Sequence, residues 1–472
     1  MTFYETIKSA SKNAKFLMRI LLLNPPNAGI LKAVGVHFPP LGLLYLGAYL
    51  EREGYQPEVK DLCVDKGSKG DIRFRDYDVV GIGTDTARYY SALRIARAAK
   101  REGCIVIMGG PHPCFVDEEV LATGQVDFVV HGEGEITLHE LLVELQKERG
   151  QFSGVKGISF AQNGQITRTP RREFIADLDQ LPLPARHLVD MNNYRQTKFG
   201  DRDITPVITS RGCPSNCSFC SSSTFFGREW RSRSVPSILQ EIEDLYRRYQ
   251  FNAIAFVDDN FTLSPQRVME LSEGIIQGKL EIWWWNLSRV DTIVRNEPML
   301  KKMRRAGAKT IYIGLESAHR QSLEEFGKGS DIGMAERAVE VLKRNGFEIF
   351  ASYILGGLSE TAKAVNETIR WAKRLDTNVA QFSILTPYPG TALYERVKDR
   401  IFRRPWTFFD AQHLVFKHDH ISFIRLQWLL LKANLLYYSR SRKGRMDVLH
   451  LIKRHRLGVG TLIRFIKDYF IG

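Results

Sequence analysis

Six cysteines in 472 residues are too few and too scattered for a disulfide framework: three crowd together at Cys213, Cys217 and Cys220, while Cys63, Cys104 and Cys114 stand apart in a strand-rich region. A reducing cytoplasm is the expected compartment. Two apolar runs fall short of other roles. The one ending in Leu21-Leu-Leu-Asn-Pro-Pro26 stops too early for a secretory signal, despite Lys8, Lys12 and Lys15 before it, and reads as a first β-strand. The Leu-rich run from Ile421 to Tyr438 is broken by Arg425 and Lys432, which argues against a bilayer span. Negative charge is also in deficit, with 53 acidic against 67 basic residues and a net charge of +14. The excess is uneven. From Ile401 to Gly472 there are fourteen Lys or Arg and four Asp or Glu, a balance of +10. No RNA- or DNA-binding motif accompanies that charge, so nucleic acid is not the expected partner. Two readings of the tail stay open: apolar helices edged by Arg440, Arg442, Lys443 and Arg445 and lying on an anionic membrane, or a helical cap with a solvated basic face. No compelling acid–base dyad stands out either.

What is present is concentrated in Arg211-Gly-Cys-Pro-Ser-Asn-Cys-Ser-Phe-Cys220, a C-x3-C-x2-C motif after the strand-like run Ile204–Thr209. Three thiolates on one loop can hold three irons of a [4Fe–4S] cube and leave the fourth open. A closed zinc site needs a fourth ligand, and no Cys or His follows within twenty residues of Cys220. The motif, including the aromatic Phe219, resembles the signature of the radical S-adenosylmethionine (SAM) superfamily. That resemblance implies that SAM chelates the open iron and is cleaved by one electron from an external donor of the flavodoxin or ferredoxin type, giving a 5′-deoxyadenosyl radical.

Between Arg19 and about Gly150, strands are expected at Ile20–Leu23, Pro57–Leu62, Val79–Ile82, Ile105–Met108 and Phe128–Val130. Helices are expected near Leu41–Glu53, Ala87–Arg101, Val116–Ala122 and Ile136–Lys147. This alternation implies a doubly wound, flavodoxin-like parallel sheet with ligands at the carboxyl ends of its strands. Those ends carry Asn24, Pro25, Gly83, Thr84, Asp85, Gly109, Gly110, His112, Gly132, Glu133 and Gly134. The Asn-Pro-Pro, Gly-Gly-Pro-His and Gly-Glu-Gly-Glu stretches are similar to the cobalamin-binding domain of B12-dependent radical SAM proteins, which makes these residues the expected cobalamin contacts. The Asp-x-His-x-x-Gly motif is missing, since none of His37, His112 and His131 has an Asp two residues before it. Cobalamin is therefore expected base-off, without a protein His on cobalt. A flavodoxin-like domain for another cofactor, or for none, is the bland alternative.

From Gln151 to Asp203 the pattern loosens into a Pro-punctuated linker. Six strand–helix repeats follow, with strands near Pro206–Thr209, Ala253–Val257, Ile282–Leu287, Thr310–Gly314, Glu348–Leu355 and Val379–Leu385. They suit the partial (β/α)6 barrel of radical SAM enzymes, whose chemistry lies at the strand C-termini. By that resemblance Asp258, Asp259, Arg289, Glu316, Ser317 and Gly356, with Phe219, are the expected SAM contacts. In Trp283-Trp-Trp285 the middle ring is expected to point away from its neighbours, with core or interdomain packing as the leading role and a wall against the corrin as the lesser one.

The expected organisation is a cobalamin domain over residues 19–150, a linker over 151–203, a radical SAM barrel over 204–396 and a basic helical region over 397–472. The expected function is a cobalamin-dependent radical SAM enzyme that methylates an unactivated carbon of a small molecule or lipid. The alternatives are an oxidative cyclase of the porphyrin-ester type and a non-catalytic cobalamin or iron–sulfur sensor. The expected site of action is the cytoplasm, with peripheral membrane contact through the tail.

Overall fold

The computed structural model describes residues 18–26, 36–64, 72–147, 150–162 and 164–439. The N-terminal lysines and the basic segment from Arg440 onward, with its second apolar run Val448–Phe470, lie outside the described residues. The chain divides into two compact units, Met1–Cys213 with Ser222–Ala255 and Pro214–Ser221 with Phe256–Gly472.

In the first unit the run Ile20–Asn24 (β1) is buried along its whole length, as a strand is when both sheet faces are covered. On one side β1 pairs in parallel with β2 (Pro57–Asp61), and on the other with β3 (Val79–Gly83). From β3 the parallel sheet continues through β4 (Ile105–Gly109) and β5 (Phe128–Val130). The helices are α1 (Leu41–Arg52), α2 (Tyr89–Arg101), α3 (Asp117–Ala122) and α4 (Glu135–Leu145). Leu22, Leu43, Leu44, Ile107, Leu141 and Leu142 belong to the core between sheet and helices. Because the order β2-β1-β3-β4-β5 reverses at β1, the crevice outside the ends of β1 and β3 is the ligand position of such a sheet.

The expected linker contains more structure than its sequence suggests. Ile158–Gln162 (β6) pairs antiparallel with β5, and Gln165–Arg168 (β7) pairs antiparallel with β6, so the first sheet has seven strands. The clue is the Asn163-Gly164 dipeptide between two short runs, a hairpin-turn signature. A second hairpin, β8 (Lys198–Phe199) with β9 (Arg202–Val207), precedes a two-residue ribbon in which β10 (Ser210–Arg211) opposes β11 (Arg231–Ser232). Helix α5 (Val235–Arg247) starts on Ser234, whose hydroxyl accepts from the Ser237 N–H, with Pro in its first turn. The strand β12 is Ala253–Phe256.

In the second unit four strands run parallel: β13 (Trp283–Ser288), β14 (Ala308–Glu316), β15 (Glu348–Leu355) and β16 (Val379–Ile384). The helices that accompany them are α6 (Pro265–Gln277), α7 (Val290–Arg295), α8 (Glu297–Arg305), α9 (Arg320–Phe326), α10 (Ile332–Arg344), α11 (Ala362–Leu375) and α12 (Ala392–Val397). Side-chain caps fix several of their starts: Asp331 accepts from the Met334 N–H, Thr361 from Ala364 and Thr391 from Tyr394. Trp284 is fully buried between half-buried Trp283 and Trp285, and its Nε1 donates to the Ala306 carbonyl at 2.8 Å. It packs edge-on to Phe256 and Phe261, so the middle ring is core.

The tail helix α13 (Phe423–Tyr438) lies against α11 and β16. Tyr437 shares a 2.8 Å hydrogen bond with the Thr377 hydroxyl, and Tyr438 donates to the Ala380 carbonyl at 2.8 Å. Its outer side leaves Ile424, Trp428 and Leu435 about half exposed or more, at 70%, 48% and 53%. No helix among the described residues is long and apolar enough to cross a membrane.

Trp284→Ala is expected to destabilise the second unit by about 3–5 kcal/mol through the cavity and the orphaned Ala306 carbonyl. Urea unfolding of the full chain checks this; an unchanged midpoint would show that the ring is not a core element.

Candidate functional site

The cysteine loop leaves and rejoins the chain at the β10–β11 ribbon. Gly212, immediately after β10, has φ +84°, and a Cβ there would stand 2.2 Å from the Glu229 carbonyl, so only glycine fits the turn. The Cys213 N–H donates to the Gly227 carbonyl at 3.2 Å, and the Cys220 N–H donates to the Cys217 carbonyl at 3.1 Å. Within the second unit, Ser218 is held twice by the end of α9. Its N–H donates to the Phe326 carbonyl at 2.9 Å and its hydroxyl to the Glu325 carbonyl at 2.8 Å. Phe219 packs edge-on to Phe326 with ring centroids 5.4 Å apart. Gly327, at φ +65°, closes α9, and a Cβ there would meet the Asn216 carbonyl at 2.7 Å. Backbone of Glu325–Gly327 is thus a template for the loop that carries Cys217 and Cys220.

Sequence reasoning missed Lys328. Its ammonium is buried against Glu316 Oε1 at 2.5 Å, and Arg289 donates to the Lys328 carbonyl at 2.7 Å. Burial raises the Cys217 thiol above its usual pKa, while Lys328 and then Arg289 pull the other way. At Cys217 these cations offset part of the cost of burial, and the net shift stays upward. No signal in the sequence separates Lys328 from an ordinary surface lysine between two glycines. Among the described residues no three His, Cys, Asp or Glu side chains converge on a single-ion site. A cube does not require that convergence, because each thiolate takes a different iron. The donor set of three thiols outside any disulfide, on one braced loop with cations beside Cys217, fits an iron–sulfur cluster with one open iron.

The other expected SAM contacts fall at strand ends. Asp258 is buried and Asp259 half-buried just after β12. Arg289 follows β13 and is paired with Asp291 at 3.2 Å. Glu316 ends β14 in the left-handed region at φ +63°, unusual for a residue with a Cβ. Ser317 donates to Glu360 Oε1 at 2.6 Å. Gly356 follows β15, with its N–H on Glu360 Oε2 at 2.9 Å and φ +84°. Glu360, also absent from the expected contacts, gathers this loop by accepting as well from the Gly357 N–H at 3.1 Å and the Ser322 hydroxyl at 3.2 Å. Burial nevertheless raises its pKa, the four donors opposing only in part.

In the first unit the expected cobalamin contacts follow the ends of β1, β3, β4 and β5. Asn24 donates to Asp61 Oδ1 at 2.7 Å and accepts from Arg88 at 2.6 Å, and Arg88 is paired with Asp85 at 2.8 Å. Asn24 and Asp85 therefore belong to one network. Pro25 offers its carbonyl to the Cys63 thiol at 3.3 Å. The Thr84 N–H donates to the Gly109 carbonyl at 3.0 Å, and a Cβ on Gly110 would stand 2.4 Å from the Thr84 carbonyl. A Cβ on Gly83 would stand 3.0 Å from Leu43. His112 is buried, with Nδ1 3.1 Å from the Thr86 hydroxyl, and burial lowers its pKa to about 4, so the ring is neutral near pH 7. Gly132 turns at φ +68°, and a Cβ on Gly134 would stand 3.1 Å from Leu46. The Glu133 side chain is turned to the protein: it binds Arg211 at 2.8 Å, Arg231 at 2.9 Å and the Ile175 N–H at 2.7 Å. Glycines at 83, 109, 110, 132 and 134 keep the backbone at these strand ends open to close approach, which fits a broad flat ligand.

The Radical SAM superfamily profile matches residues 207–372 and the B12 binding domain profile residues 28–142. An uncharacterized methyltransferase of Pyrococcus horikoshii is 37% identical over 443 residues, covering 90% of this chain and 94% of that protein. The anaerobic magnesium-protoporphyrin IX monomethyl ester cyclase of Rubrivivax gelatinosus is 29% identical, over 81% of this chain and 71% of that one. Among solved structures, the radical S-adenosylmethionine methyltransferase TsrM of Kitasatospora setae, with cobalamin and a [4Fe–4S] cluster bound, superposes with a TM-score of 0.67 at 19% identity, covering 81% of this chain and 75% of that chain, a likeness of fold. A cobalamin-type α/β sheet followed by a radical SAM half-barrel defines an enzyme class. This chain belongs to the cobalamin-binding radical SAM family, with a [4Fe–4S] cluster, SAM and cobalamin as its cofactors.

The raised pKa of Glu360 fixes the sign of one pH effect. The folded chain binds a proton there more readily than the unfolded chain, so this group's contribution to stability is fully present below the ordinary carboxylate value and is lost as pH rises through the raised one. Glu360→Gln is expected to flatten that decline in chemical denaturation as pH rises above the ordinary carboxylate value of about 4.3; an identical slope in both proteins would contradict it.

Proposed function

We propose that this protein is a cobalamin-dependent radical SAM methyltransferase acting on an unactivated carbon. The observation that carries the reading is the braced loop of Cys213, Cys217 and Cys220 beside Lys328 in a chain that also holds a cobalamin-type sheet. When bound, the cluster and SAM supply a hydrogen-abstracting radical and cobalamin supplies a methyl group. The chain's own part is placement. Its three thiolates hold three irons and leave one open; Asp258, Asp259, Arg289, Glu316, Ser317, Gly356 and Phe219 surround SAM. Asn24, Pro25, Gly83, Thr84, Asp85, Gly109, Gly110, His112, Gly132 and Gly134 form the cobalamin surface, and no protein His takes the cobalt. Residues 19–150 act as the cobalamin domain and 204–396 as the barrel, joined by 151–203. An external one-electron donor reduces the cluster. A cyclisation in place of methylation is the second reading, favoured by the 29% identity to the Rubrivivax gelatinosus cyclase.

Cys217→Ala is expected to abolish 5′-deoxyadenosine formation from SAM by the reduced, reconstituted protein, because one of only three protein ligands is lost. Wild-type turnover by this variant would refute the cluster assignment. Transfer of isotope-labelled methyl from SAM to carbon in a cell extract separates methylation from cyclisation.

The substrate we assign is a water-insoluble molecule or lipid, reached by peripheral contact of residues 397–472 with an anionic membrane. Supporting this are the outward Ile424, Trp428 and Leu435 of α13 together with the +10 balance after Arg400, so that apolar burial and headgroup attraction act on one region. Each basic residue near the surface adds about 1 kcal/mol. Co-sedimentation with anionic vesicles is expected for the full chain, weakened by salt and by Trp428→Ser with Ile424→Ser; binding indifferent to salt, lipid charge and both changes would leave the tail a cap.

A further inference from the structure

The ribbon that carries the cysteine loop has an electrostatic problem. In its register Arg211 lies opposite Arg231, and both side chains are buried, at 7% and 4% exposure. Like charges facing across a ribbon repel, and burial removes the water that would screen them. One carboxylate oxygen resolves the conflict. Glu133 Oε1 accepts from Arg211 Nη1 at 2.8 Å and from Arg231 Nη1 at 3.0 Å, while Glu135 accepts from Arg211 Nη2 at 2.6 Å. Two cations and two anions close a neutral quartet.

Glu133 and Glu135 belong to the Gly132–Glu135 turn at the end of β5, whose glycines rank among the expected cobalamin contacts. The same quartet also draws in the chain after β7. The Ile175 N–H donates to Glu133 Oε2 at 2.7 Å, and Arg231 donates to the Ile175 carbonyl at 2.7 Å and to the Phe226 carbonyl at 3.0 Å. The geometry points to Glu133 and Glu135 as positioning residues that hold the base of the cluster loop in register with the cobalamin turn, acting through Arg211 and Arg231 and not on cobalamin itself. This inference rests on the cofactor assignment above. Cys213 is two residues from Arg211, so a ribbon freed from Glu133 releases one of the three thiolates from its fixed backbone.

The test uses the full chain, anaerobically reconstituted with iron, sulfide and cobalamin. Glu133→Gln keeps the shape and removes the charge. It is expected to bind cobalamin in the wild-type amount but to lose iron to a ferrous chelator about tenfold faster, the scale on which partners of metal ligands act. Glu135→Gln is expected to move in the same direction by less. The magnetic interaction between cob(II)alamin and the reduced cluster, read by pulsed EPR, is expected to broaden in distribution in both. Leu142→Ala, in the core of the same unit, controls for stability: it lowers the melting temperature without hastening iron loss. If Glu133→Gln does not fold, Arg211→Lys keeps the charge while losing the fork that reaches two carboxylates, and is expected to lose iron several-fold faster than wild type. Wild-type iron retention in the folded variants, equal iron loss in Leu142→Ala, or loss of cobalamin with the cluster kept would each overturn the inference. A wild-type chain that takes up no cluster would instead overturn the cofactor assignment and this inference with it.

Discussion

A charge taken out of water must find its counter-charge within a few ångströms, and in this chain the pairing dictates which segments meet. Removing one member of a buried pair typically costs about 3–5 kcal/mol, because the survivor stays desolvated. Among the described residues the first unit contains two such assemblies. Arg186 and Arg233 converge on Glu241, while Arg211 and Arg231 converge on Glu133. Each joins residues more than fifty positions apart in sequence. Arg186, from the stretch read as a loose linker, also donates to the Pro206 carbonyl at 2.8 Å, which ties that stretch to β9. Ionic pairing thus acts together with the burial of Ile175, Leu178, Met191 and Tyr194 in laying down the irregular segment between the strands.

The second unit solves a similar problem with backbone. The loop bearing Cys217 and Cys220 contains few apolar side chains and cannot hold itself by burial. Carbonyls at the end of α9 receive Ser218, and the left-handed Gly327 lets the two backbones approach. Glu360 does the equivalent for the turn after β15, collecting two N–H groups and two hydroxyls on one carboxylate. Both arrangements put rigid hydrogen bonds where a cofactor needs fixed surroundings.

Most parallel strands were legible from short apolar or alternating runs, fully buried in β1 and alternately buried in β13, whereas the strand expected at Pro206–Thr209 is displaced to Arg202–Val207. Phe128–Val130 and Glu348–Leu355 have the ends their sequences imply, and β1 extends by one residue to Asn24. The cysteine triad was legible because three thiols at fixed spacing have few other uses. What could not be read was partnership. The pairing of Lys328 with Glu316, and of Arg231 with Glu133, joins residues whose separation in sequence carries no period. The hairpin β6–β7 was obscured for another reason: its outer strand is mostly exposed and polar, so no hydrophobic alternation marks it.

Gly356 stands directly beneath the tail. A Cβ there would lie 2.7 Å from Leu426 of α13, so the turn after β15 and the C-terminal helix are fitted to each other atom by atom. The dependence runs one way: any side chain at position 356 would have to displace the Leu426 methyl and adopt a left-handed backbone at φ +84°, so the seat of the tail helix is set by the absence of a side chain in the turn below it.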